Sequence, residues 1–115
     1  AGIALAYGAE RCAQYVVRMI AQFNASGVEL RHLEFGNELY GKWSKPFEDV
    51  AYTGATYGNA FSEVAARVRQ HFGQTDIRFG LVMTFDAGEC PPWHICHWNR
   101  DILKESSAAK HADFV

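Results

Sequence analysis

The chain has 115 residues, of which 49% are hydrophobic and 21% charged, with a formal net charge of −2. That balance is neither disordered nor membrane-like and amounts to one domain's worth of residues. The slight acidity and the lack of any Lys/Arg run argue against nucleic acid as a partner. No apolar stretch reaches the roughly 18 residues that a membrane span needs. The start, "AGIALAYGAER", lacks a basic leader region and a Met, and "HADFV" stops as if inside a strand. Both ends read as cut.

Helical periodicity runs from Ala9 to Ser26. Cys12, Tyr15, Val16, Met19, Ile20 and Phe23 form one stripe expected to face a core, and Gly27 stands where a left-handed cap would end the helix. "VELRHLEF" then reads as a strand. A second helix is expected from about Tyr57 to Phe72, with Phe61, Val64, Ala65, Val68 and Phe72 on one face, Thr56 as N-cap and Gly73 as stop. After the polar turn "QTD", the nearly continuous apolar run "IRFGLVMTF" suits a strand covered on both faces of a parallel sheet. A loop from Asp86 to Trp98 follows, then a third helix from about Asn99 to Ala109, and "ADFV" opens another strand. This alternation predicts βαβ units, hence an α/β fold with a parallel sheet, either open or closed into a barrel.

Parallel strands gather their exits at one end, where such proteins place their chemistry. Three groups fall there: Asn37, Glu38, Tyr40 and Trp43; Thr84, Asp86 and Glu89; and Trp93, His94, His97 and Trp98. Carboxylates beside aromatic rings suit carbohydrate, whose apolar faces lie on indole or phenol rings while acids and amides bind hydroxyls or move protons. Alternation puts Glu38 on the face of His32, Glu34 and Gly36, and Asn37 on the other. For both to serve one ligand, the strand must end or bulge at Gly36.

"LEFGNELYGKW" resembles the segment of clan A glycoside hydrolases in which an Asn-Glu pair ends the fourth barrel strand. The wider pattern is similar to α-L-arabinofuranosidase-type enzymes, glycoside hydrolase family 51 and its relatives near family 39. The matching pieces are Glu34 to Glu38, Tyr57-Gly58, Ile77 to Val82, Trp98-Asn99 and Asp113 to Val115, which together span nearly the whole chain. His32 and Leu33 depart from it, standing where those enzymes commonly carry aromatics.

The resemblance implies a partial (β/α)8 TIM barrel covering about strands four to six, since a whole barrel takes roughly 250 residues. It also implies a retaining glycosidase acting on plant-type poly- or oligosaccharides. Glu38 would be the general acid/base and Asn37 would bind the sugar 2-hydroxyl, while Tyr40, Trp43, Trp93 and His94 would contact substrate. The nucleophile, another Glu, would lie beyond Val115. No cofactor or metal is implied. The 115-residue piece alone is then expected to be inactive, and marginally stable or self-associating.

Other readings stand beside this one. Glu34 is expected one layer deeper, paired with His32 or with a base on a neighbouring strand. Asp86 and Glu89 could bind hydroxyls or simply be solvated. Cys90, His94, Cys96 and His97 crowd one loop, but C-x₃-H-x-C-H is not a standard zinc spacing, and a Cys90–Cys96 bridge stays open. His71 sits in the last turn of its helix, and Cys12 belongs to a core stripe rather than to a reactive site. The functional alternatives are a non-catalytic carbohydrate-binding module derived from a barrel, and a metal-binding protein centred on the Cys/His loop.

Overall fold

The computed structural model describes residues 8–36, 53–73, 76–84 and 97–115. Helix α1 (Ala9–Ala25) ends as its sequence requires. The Gly27 amide donates to Asn24 O and the Val28 amide to Phe23 O, with Gly27 at φ 72°. These two bonds form a Schellman motif, and glycine takes the left-handed conformation without a Cβ penalty.

The buried face of α1 consists of Cys12, Ala13, Val16 and Ile20. The expected stripe is thus corrected in part: Tyr15 is 58% exposed and Phe23 38% exposed. The arc that packs is narrower than the apolar pattern and is rotated toward the small residue Ala13, which lets α1 approach its neighbour closely.

That neighbour is α2 (Gly54–Phe72), which begins earlier than periodicity suggests. Its N-cap is Thr53, whose Oγ1 accepts a hydrogen bond from the Thr56 amide at 3.0 Å. Thr56 therefore belongs to the first turn instead of capping it. Gly73, at φ 67°, closes the helix as expected.

Two short strands, β1 (His32–Phe35) and β2 (Arg78–Leu81), pair in parallel with His32 opposite Arg78 and Phe35 opposite Leu81. Both are shorter than the apolar runs containing them; before β1, Arg31 O still accepts the Arg78 amide at 2.8 Å. With α2 between them they form a βαβ unit, and the fold is α/β. Where a third strand was expected, Phe114 makes a single parallel bridge to Gly80 on the other edge of β2.

The expected third helix is two: α3 (Trp98–Glu105) and α4 (Ala108–His111). The break is at Ser106, in extended conformation, whose hydroxyl donates to Ile102 O and accepts from the Ala108 amide. A serine side chain that satisfies one helix end and starts the next takes the place of the continuing backbone ladder.

The core lies between the helices and one face of the sheet. Phe35, Phe79 and Leu81 project into it against Phe61, Val64, Ala65 and Val68 of α2, and Ile102 of α3 closes the far side. Phe35 meets Phe61 edge-on at 5.4 Å, a favoured aromatic geometry. On the other face, His32, Glu34 and Arg78 are exposed. The Phe114 ring closes over this face, filling the space left by the absent side chain of Gly80.

The helices pack closely enough that glycine is required where they cross. A Cβ on Gly54 would strike the backbone carbonyl of Trp98 and come within 3.1 Å of the Ile102 amide. A backbone obstacle cannot rotate away. Gly54→Ala is therefore expected to destabilise the chain by about 1–3 kcal/mol, read as a lower denaturant midpoint. An unchanged midpoint would mean that α2 and α3 are not in this contact.

Candidate functional site

Parallel pairing puts the exits of β1 and β2 side by side, with Phe35 and Leu81 as the last register partners. Ladder bonds cease there, and side chains take over the backbone groups. Tyr57, in the first turns of α2, reaches the sheet with its ring buried. Its hydroxyl donates to Phe35 O at 2.7 Å and accepts from the Val82 amide at 2.9 Å. One oxygen thus joins the two strand exits.

The start of α3 holds the next stretch of the β2 exit. Trp98 Nε1 donates to Val82 O at 2.9 Å, and its indole stacks on the Tyr57 ring at 5.1 Å. Asn99 engages Thr84 twice: Oδ1 accepts from the Thr84 amide at 2.9 Å and Nδ2 donates to Thr84 O at 2.7 Å. An amide side chain offers the donor–acceptor pair of a strand neighbour, and Asn99 supplies it to Thr84 from the start of α3. Trp98 is 1% exposed, so its role here is to pack and to donate a hydrogen bond, not to present a surface to sugar.

After β1, Gly36 takes φ 103°, a conformation that L side chains rarely adopt. The strand ends at Phe35 and its alternation is broken one residue before Asn37. The sequence required this break if Asn37 and Glu38 were to share a ligand.

The remaining candidates divide cleanly. Asn37, Glu38, Tyr40, Trp43, Trp93 and His94 lie outside the described residues, as do Asp86, Glu89, Cys90 and Cys96. His97 is exposed, at φ 64°, immediately before α3. Glu34 is corrected: it is exposed, and it forms no ion pair among the described residues. His32 packs edge-on against Phe114 at 5.7 Å instead of pairing with it. With water on that sheet face, Glu34 needs no buried counter-charge. Cys12 is buried in the core, as its place in the α1 stripe suggests, and His71 lies in the last turn of α2.

Sequence reasoning missed what Tyr57 and Asn99 do. Tyr57 stands one turn before Phe61 on the buried face of α2, and a polar tip at the end of an apolar stripe was the available signal. Among the described residues no three metal-ligating side chains come together, and no described helix is long and apolar enough to cross a membrane.

A polar cavity of about 680 Å³ opens at the opposite end of the sheet, between Glu29, Arg31, Arg69, Asp76, Arg78 and Asp113. Two of its arginines are already engaged, Arg31 with Glu29 and Arg69 with Asp113, each at 2.8 Å. The Arg31 guanidinium holds the Glu29 carboxyl below the usual range. This end receives the beginnings of the strands, where parallel folds invest in stability, whereas chemistry gathers at the exits. No family model matches the chain, and neither a curated protein nor a solved structure gives a significant match.

Burial raises the Tyr57 hydroxyl to about 12 from an ordinary 10.0; the Val82 amide opposes this and the Glu34 carboxylate adds to it. The folded state therefore holds this proton more tightly than the unfolded chain does. The resulting stabilisation is fully present below pH 10 and is lost between pH 10 and 12, about 2–3 kcal/mol in all. Tyr57→Phe is expected to remove this part of the alkaline decline in denaturation measured across that window. Asn99→Ala, which removes both of its hydrogen bonds to the Thr84 backbone, is expected to cost about 1–3 kcal/mol at neutral pH by the same measurement.

Proposed function

We propose that the chain is part of the (β/α)8 barrel of a retaining clan A glycoside hydrolase, arabinofuranosidase-like, with Glu38 as general acid/base and Asn37 on the sugar 2-hydroxyl. The observation that carries this reading is the glycine break. The strand stops at Phe35, and Gly36 turns the chain in a glycine conformation just before the Asn-Glu pair. Strand alternation thus ends before the pair is reached.

Three further features support it. The motif pieces Tyr57 and Trp98-Asn99 meet at the strand exits, where they hold the backbone. The helices pack on one face of the sheet, and parallel pairing runs in sequence order from β1 through β2 to the bridge at Phe114. A barrel repeats that pattern around a closed circle.

The chemistry needs two carboxyl groups about 5–5.5 Å apart. In the first step a nucleophilic Glu, beyond Val115 on this reading, attacks the anomeric carbon as Glu38 passes its proton to the departing oxygen. In the second, Glu38 takes a proton from water, and the resulting hydroxide displaces the enzyme carboxylate. Glu38 must begin protonated, and the nearby negative nucleophile favours that state. Tyr40, Trp43, Trp93 and His94 would contact the sugar.

The test expresses the complete open reading frame that carries this segment and assays it on aryl α-L-arabinofuranosides and xylosides. Glu38→Gln is expected to lower kcat/KM, which reports the first step, about 10²–10⁴-fold on a poor leaving group. The loss should be much smaller on a dinitrophenyl glycoside, whose departure needs no proton. Equal losses on both substrates would remove Glu38 from the acid role. Sugar binding without turnover in the unaltered protein would replace the enzyme reading with a binding module.

A further inference from the structure

The Tyr57 hydroxyl is placed where the proposed chemistry would need a mechanical reference. It donates to the carbonyl of Phe35, the last residue of the strand that leads through Gly36 into Asn37 and Glu38. The same oxygen accepts the Val82 amide, the first residue beyond β2. The ring is held from the side by the Trp98 indole, which itself donates to Val82 O. Gly58, the next residue of α2, lies so close to Ser106 that a Cβ there would collide with its side chain, which pins this turn of the helix. A tyrosine seated this firmly on a helix gives both exits a common fixed point.

We propose that Tyr57 is a positioning residue: its hydroxyl fixes the exit of β1, from which the chain runs on to Asn37 and Glu38, at a set distance from the exit of β2. The proposal rests on the glycosidase reading for its catalytic consequence and on the hydrogen-bond geometry for its structural one. Tyr57 touches no substrate. It acts through the backbone that it holds. A helix-borne side chain suits this task because α2 is packed along most of its length, whereas a loop residue would move with the exits.

Two measurements on Tyr57→Phe decide it, with Ser62→Ala as comparison. Ser62 is also a buried hydroxyl on α2, but it donates only within its own helix, to Gly58 O at 2.8 Å. In amide hydrogen exchange, Tyr57→Phe should accelerate Val82, whose amide loses its acceptor, and Phe35, the last paired residue of β1, roughly tenfold while Val64, Ala65 and Val68 keep their rates. Ser62→Ala should leave Phe35 and Val82 unchanged. Equal acceleration throughout α2 would mean that Tyr57 merely supports the fold, and no acceleration at Phe35 and Val82 would mean that it positions nothing; either overturns the proposal.

In the complete enzyme, Tyr57→Phe should lower kcat roughly ten- to a hundredfold with KM unchanged, the signature of a misplaced catalytic group. A kcat equal to that of the unaltered enzyme would also overturn it. Should the unaltered enzyme hydrolyse no glycoside, the glycosidase reading falls, and the exchange pattern still decides whether Tyr57 fixes the two exits.

Discussion

One phenolic oxygen, that of Tyr57, does for the sheet what two strands of four residues do poorly for themselves. Each strand contributes few ladder bonds, and past the last pair the backbones are free to splay. A group that both donates and accepts, presented from a rigid helix, closes the gap between Phe35 O and the Val82 amide. A carboxylate could only accept and an ammonium could only donate. A hydroxyl on a long apolar stem combines the required chemistry with burial among Phe61 and Trp98.

The two ends of the sheet use different physics. At the exits, neutral hydrogen bonds are buried with aromatic rings. At the entrances, charge dominates: Asp113 accepts from the Phe79 amide and from Arg69, whose guanidinium also donates to His111 O and lies 4.8 Å from the Phe79 ring. Exposed ion pairs there cost little to make and contribute little each. The buried bonds at the exits are the ones that cannot be lost singly, because each would leave an unpaired group without water.

Much of this architecture was legible in the sequence. The order of the described helices and the two strands, the glycine caps at Gly27 and Gly73, the core face of α2 and the parallel pairing of Phe114 with β2 all follow from periodicity and turn chemistry. Periodicity failed where local hydrogen bonding competes with it. Thr53 and Thr56 are both plausible caps, and only the bond from Thr53 to the Thr56 amide distinguishes them. Ser106 splits a helix that apolar spacing would continue. Tyr15 and Phe23 fit the helical stripe of α1, but spacing alone cannot reveal how wide an arc the neighbouring helix covers. Glu34 was assigned a buried partner because alternation places it on a face; whether that face is covered is a tertiary fact. Of the candidate site, sequence supplied the Asn37-Glu38 pair and the need for a break at Gly36. The structure supplied the break and its brace.

The Asn99 amide holds Thr84 by both of its backbone groups, so the chain leaving β2 and the chain entering α3 meet at one point. Whatever lies between starts and finishes in the same place. The position of the β2 exit is therefore set by a side chain of α3, whatever sequence stands between Thr84 and His97. On a scaffold of this kind, specificity and stability are free to evolve independently.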